Sequence, residues 1–174
     1  MPSHELKELH EQAELFEVLP LVREIPTDTL TPVSALLRLK QMQEGPAFLL
    51  ESCGPDLNQS RYSFVGVRPQ ETLTVQEGRL IQERDGQKHI LATEAPLDAL
   101  KDYLQALKSP PNEDLPAFSG GYVGYLGYDC IRYLEKIKLH DSPGELPEAC
   151  LMCFQNLLIF DHLKHRILLV ANIF

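Results

Sequence analysis

A carboxylate, a hydroxyl and a guanidinium stand close together in the stretch FLLESCGPDLNQSRYSFVG, residues 48–66. Glu51 and Ser52 follow the apolar run Phe48, Leu49, Leu50, and Arg61 opens the next apolar run. FLLES reads as a strand whose successive leucines face opposite sides, so the element is expected to be buried on both faces and to place Glu51 and Ser52 where it emerges into a loop. On residue type alone the simpler arrangement is a surface ion pair between Glu51 and Arg61, worth little. The alternative is a zwitterion site beside an apolar pocket, with Glu51 for an ammonium and Ser52 and Arg61 for a carboxylate.

Other reactive residue types carry weaker patterns. Cys150 and Cys153 have the C-x-x-C spacing, but ACLMCFQNLLIF reads as a strand, which points the two thiols to opposite faces and disfavours a zinc or redox site. Cys53 and Cys130 complete the cysteines, and three of the four lie in apolar runs, so all are read as reduced and structural. His162 and His165 flank a turn beside Asp161, which is more simply a polar hairpin tip than a metal site. The glycine run GGYVGYLGYD has neither the Lys-Ser/Thr of a phosphate loop nor the dinucleotide spacing. No serine or cysteine triad has a recognisable context.

The elements that must position these groups follow from periodicity and punctuation. HELKELHEQAELF places Leu6, Leu9, Ala13 and Phe16 at helical steps. FEVLPLVREIP reads as a strand, and Pro20, which has no N–H for the ladder, argues for a sheet edge. Thr31 as N-cap and Pro32 in the first helical position begin a helix with Val33, Leu36, Leu37 and Met42 on its inner face. AFLLES and RYSFVGVR follow as strands joined by the loop holding Gly54, Pro55, Asp56 and Asn58. A run of hairpins comes next, with turns at Glu77-Gly78 and Asp85-Gly86. APLDALKDYLQALKS is a second proline-started helix with Leu97, Leu100, Leu104 and Leu107 inward. SPPNEDLPAF is read as a long surface loop. In SGGYVGYLGYDCIRYLEKI, glycines that allow close backbone approach alternate with tyrosines in a strand, and YDCIRYLE has the spacing of a helical turn or two. The last segment reads as two long strands around DHLKH.

The chain has 174 residues, a length suited to one ordinary domain. Its hydrophobic share of 44% separates it from disordered chains. A net charge of −9 with no basic cluster argues against nucleic acid and anionic membrane partners. The longest apolar runs are too short to span a bilayer and no signal-peptide pattern opens the chain, so a cytoplasmic location is expected. ILLVANIF closes the sequence on an apolar run, which suggests a polypeptide that continues.

In this order, REIPTDTLTPVSALLRL, FLLES, SRYSFVGVRP, GGYVGYLGYDCIRYLEKI and LPEACLMCFQNLLIFDHLKHRILLVAN resemble the N-terminal domain of anthranilate synthase component I, over roughly residues 18–174. The resemblance implies an α+β fold in which two antiparallel β-sheets pack as a sandwich-like core with flanking helices, and one regulatory domain over 1–174. It also implies that chorismate and Mg²⁺ bind in a C-terminal chorismate-binding domain beyond this chain, so no catalytic residue or cofactor is assigned here. In the full-length enzyme chorismate is aminated with ammonia, supplied from glutamine by an amidotransferase subunit, and pyruvate is eliminated to give anthranilate. What the family places at the LLES strand is feedback inhibition by L-tryptophan, which carries over to Leu50, Glu51 and Ser52, with Arg61 at the start of the next strand. Ser60 stands where the family usually has glycine, and part of the pocket would come from the other domain, so the isolated chain should bind tryptophan poorly. Two alternatives are the same domain of para-aminobenzoate synthase component I and a docking domain for the amidotransferase with no effector.

Overall fold

The computed structural model describes residues 10–52, 54, 60–136 and 146–174. Along the chain run β1 (Leu19–Pro26), α1 (Pro32–Met42), β2 (Ala47–Glu51), β3 (Tyr62–Val67), β4 (Glu71–Gln76), β5 (Arg79–Arg84), β6 (Gln87–Ala92) and α2 (Pro96–Ala106). Then come β7 (Gly121–Leu126), a 3₁₀ helix (Tyr128–Tyr133), β8 (Ala149–Phe154), β9 (Asn156–Asp161) and β10 (Arg166–Ile173). The expected α+β class with two antiparallel sheets is borne out. One five-stranded sheet has the order β1-β10-β9-β3-β2 and the other β6-β5-β4-β8-β7. They belong to two compact units, the first built from segments ending at Pro69, from Lys108–Gly121 and from Phe154–Phe174, the second from Gln70–Leu107 and Tyr122–Cys153.

In the first unit β1 lies at a sheet edge, as Pro20 requires. The start of α1 is fixed locally: the Thr31 N–H donates to Ser34 Oγ at 2.9 Å and the Ser34 N–H donates to Thr31 Oγ1 at 3.1 Å, a reciprocal capping box that satisfies two otherwise orphaned donors. The helix buries a stripe that shares only Leu36 with the expected one. Ala35 is buried and Leu36 and Leu39 pack with it against Val65, Phe160 and Ile167 of the sheet, whereas Val33, Leu37 and Met42 are exposed. Both stripes have helical spacing, and the one containing the small Ala35 faces the sheet because it lets the helix backbone approach.

In the second unit Glu77-Gly78 and Asp85-Gly86 form the expected two-residue turns, with positive φ at all four residues. Leu73, Val75, Leu80, Leu100, Cys130 and Ala149 form its buried centre, with Leu97 and Leu104 of α2 packed against it. A carboxylate lies at one end of β4. Glu71, 5% exposed, accepts from Tyr103 Oη at 3.0 Å, from Gln82 Nε2 at 2.7 Å and from the Tyr122 hydroxyl. Burial and the bond to this carboxylate push the Tyr122 hydroxyl pKa far up, which keeps it a proton donor. Glu71→Gln turns one acceptor oxygen into a donor facing donors. It is expected to lower stability by about 2 kcal/mol, measurable by urea unfolding followed by circular dichroism.

The C-terminal segment corrects the expectation of two long strands, since it forms three. The chain leaves the second sheet with β8, turns at Gln155 and enters the first sheet with β9. The carbonyl of Gln155 is held by the backbone N–H of Asn172 at 2.9 Å and by its Nδ2 at 3.1 Å, so the break is satisfied by β10. Of the N-terminal helix, residues 10–13 are helical, while Leu6 and Leu9 lie outside the described residues, as do Cys53 and most of the loop after it.

Candidate functional site

Among the described residues β2 is the sheet edge opposite β1 and pairs with β3 alone, with Leu50 facing Phe64 and Glu51 facing Ser63. This corrects the expectation of a strand buried on both sides: Phe48 and Leu49 are half-buried, Leu50 is 45% exposed, and Glu51 and Ser52 are exposed. Strand alternation sets the faces. Leu49 packs towards α1. Phe48 turns to the other face, against Phe154 (ring centroids 4.7 Å apart) and Phe118 (6.3 Å). That face continues through Phe64, 5.2 Å from Phe118, to Tyr62, 6.1 Å from Phe64. Leu50 therefore stands at the border of a row of aromatic rings.

Arg61 does not pair with Glu51. Its Nε donates to Asp161 Oδ1 at 2.9 Å and its Nη2 to Asp161 Oδ2 at 2.8 Å, a bidentate pair across 100 residues of sequence, and its guanidinium lies 4.7 Å from the Tyr62 ring centroid. Asp161 is fully buried and is bound as well by Arg166 Nε at 3.4 Å and by the Lys164 N–H at 3.2 Å. Burial alone would raise its pKa, but the hydrogen bonds from Arg61, Lys164 and Arg166, together with the Arg61 charge, outweigh it and hold the carboxyl at about 2. The sequence leads to an ion pair for Arg61 but not to this partner, because Asp161 lies a hundred residues away and comes near only through the pairing of β3 with β9.

The four residues singled out by sequence are thus brought to one end of β2 but not to one face. Leu50 shares its face with Tyr62 and Phe64. Glu51 falls in the row of Ser63, Phe160 and Ile167, on the α1 side, and Ser52 is the first residue beyond the strand. On the Glu51 side Ser63 Oγ is 2.7 Å from His162 Nε2. Sequence reasoning missed Asp161, Ser63 and the aromatic row. Its one available signal was an aspartate ending an apolar run that had been read only as a hairpin tip.

The other candidates stay structural. Cys130, Cys150 and Cys153 are free thiols with raised pKa values; burial and then the Glu71 charge push Cys153 up to about 11, so it remains protonated at neutral pH. Among the described residues no group of three His, Cys, Asp or Glu side chains is disposed to hold a metal ion. No helix among them is long and apolar enough to cross a membrane.

Comparison with known proteins gives the arrangement a context. Anthranilate synthase component 1 of Arthrobacter globiformis is 32% identical over 168 residues, covering 96% of this chain and 32% of its own length. The probable anthranilate synthase component 1 of Schizosaccharomyces pombe is 36% identical over 174 residues, covering 97% and 32%. The crystal structure of anthranilate synthase component I from Streptococcus pneumoniae superposes with a TM-score of 0.51 at 31% identity, over 84% of this chain and 31% of that one. The chain spans about a third of the length of these relatives. A family model described as chorismate binding enzyme matches residues 45–173, which takes in β2, β3 and every strand after them. With the greater part of its length matched in this way, the chain belongs to the family of chorismate-binding enzymes.

Proposed function

We propose that this chain is the regulatory part of an anthranilate synthase component 1 in tryptophan biosynthesis, and that L-tryptophan binds at the open end of β2. The observation that carries this reading is the exposed Leu50 at the edge of the Tyr62 and Phe64 rings, with the polar Glu51 and Ser52 immediately after it. An aromatic amino acid needs that combination: an apolar bed for the ring and charged or hydroxylic groups for the two ends of the zwitterion. The indole lies against Leu50 and Tyr62, Ser52 meets the carboxylate, and Glu51 meets the ammonium around the strand end. Arg61 spends Nε and Nη2 on Asp161, so its direct share is limited to Nη1. Chorismate, Mg²⁺ and the amination step belong to the remainder of a polypeptide of the relatives' length, and ammonia comes from a glutamine amidotransferase subunit. Inhibition follows from linkage, since a ligand that prefers the inactive arrangement lowers the affinity for substrate reciprocally.

The chain contains no Trp, so bound L-tryptophan is its sole indole fluorophore. In a polypeptide of the relatives' length that carries this segment, Ser52→Phe is expected to raise the tryptophan concentration for half-inhibition at least about tenfold, by filling the ligand's space, while anthranilate formation from chorismate and ammonia stays intact. Glu51→Gln, acting from the opposite face, has a smaller effect. Inhibition that is unchanged in Ser52→Phe removes the assignment; fluorescence titration and anthranilate assays measure both quantities.

A further inference from the structure

A second concave site lies in the first unit, on the α1 side of the sheet. With 11 residues α1 is about 16 Å long, whereas the eight residues of β10 run for about 26 Å, so the helix cannot cover the whole sheet face. It ends at Met42, with Gln43 extended and its N–H bonded to the Leu39 carbonyl. Beyond Leu39 the uncovered face is a groove of about 560 Å³. Its floor is built from the row that runs Leu169, Leu158, Val65 and from Ala171 in the row beyond.

The rim carries charge of one sign. Arg23, at the edge-strand end of the Leu169 row, and Arg68, just after β3, both line the groove, and among the described residues lining it no carboxylate occurs. Neither arginine belongs to an ion pair among the described residues, whereas Arg61, Arg84, Arg132 and Arg166 all do. In a chain with 25 acidic against 16 basic residues, two unpaired guanidiniums on one apolar groove are a local reversal of the overall charge. Arg68 also takes a left-handed backbone (φ 55°), uncommon for a residue with a side chain, and is held there by its N–H to the Pro46 carbonyl at 3.1 Å.

We propose that this groove is a small-molecule site for a carboxylate with an apolar body, such as an aryl-substituted short-chain acid. The apolar body lies on Leu158, Leu169 and Val65, and the carboxylate meets a guanidinium at the rim. The size falls within that of ordinary ligand pockets, and an apolar floor with a guanidinium on either side of its rim is what such an anion selects. The site is independent of the one at Leu50–Ser52.

Isothermal titration of the chain with 4-phenylbutyrate, and with neutral 4-phenylbutyramide as control, tests it. Saturable one-to-one binding of the acid is expected, roughly tenfold tighter than that of the amide and weakening with salt. At least one of Arg23→Gln and Arg68→Gln is expected to weaken the acid about three- to tenfold, and neither changes the amide. Both arginines are exposed, so these variants keep the fold. Ser52→Phe should bind the acid as the parent chain does. Equal affinity for acid and amide, no saturable binding, or loss in Ser52→Phe with retention in both arginine variants overturns the proposal.

Discussion

Asp161→Ala is expected to lower the stability of the chain by about 3 kcal/mol, because it removes a fully buried carboxylate on which two arginines and a backbone N–H converge. The loss is larger than the value of a surface pair. Arg61, with its side chain only 27% exposed, loses both of its charged hydrogen bonds and cannot recover full hydration, whereas Arg166, 15% exposed, loses one bond and keeps its pair with Glu24. Urea unfolding followed by circular dichroism gives the magnitude. The same carboxyl makes a pH prediction whose sign follows from its depressed pKa. Held at about 2 in the folded chain against an ordinary 3.8, Asp161 contributes stability that is complete above about pH 4 and lost as pH falls towards 2. That contribution is roughly 2 kcal/mol. Asp161→Asn keeps the side-chain shape, lacks this portion of the acid sensitivity, and should therefore show a shallower loss of stability between pH 5 and 2. A variant as stable as the parent at neutral pH, or an unchanged acid profile, would show that the network contributes nothing net.

Gly124→Ala should cost at least about 3 kcal/mol. A Cβ at this position of β7 would stand 1.9 Å from the Cys150 carbonyl oxygen, 2.8 Å from its carbon and 2.9 Å from the Leu151 Cα, all backbone atoms of the neighbouring β8. Backbone within a ladder cannot rotate aside, so the two strands must separate or shift register. Gly66→Ala is the informative control. Its Cβ would meet the Phe48 ring, with Cε1 at 2.3 Å, and a side chain can move where a strand cannot. The first substitution should therefore be the more damaging by thermal unfolding, although its site is exposed and Gly66 is buried. Equal midpoints for the two variants would refute the close approach at β8.

Local chemistry made several elements readable from the chain alone. Thr31 and Pro32 start α1, Glu77-Gly78 and Asp85-Gly86 turn the hairpins, Pro20 marks an edge, and the alternation of glycine with tyrosine foretold a strand in close contact with its neighbour. Each of these is decided by residues within about four positions, through caps, φ preferences or missing donors. The resemblance carried by FLLES, RYSFVG and the glycine–tyrosine motif likewise lay in the residue order itself, and the family followed from it.

What depended on long-range pairing could not be read in this way. Arg61 could be seen as half of an ion pair, but Glu51, ten residues away, and Asp161, a hundred away, were equally acceptable partners until the register of β3 on β9 set Tyr62 opposite Asp161. α1 offered two apolar stripes of the same period, and only the space above the sheet selected Ala35, Leu36 and Leu39. The break at Gln155 lies inside an unbroken apolar pattern, because strands of two different sheets follow one another there with a single residue between them. Periodicity records which side of an element is buried, whereas the identity of the burying partner is a property of tertiary packing. For that reason Glu51, Ser52 and Leu50 were found by sequence, and their division between the two faces of an edge strand was decided only by the fold.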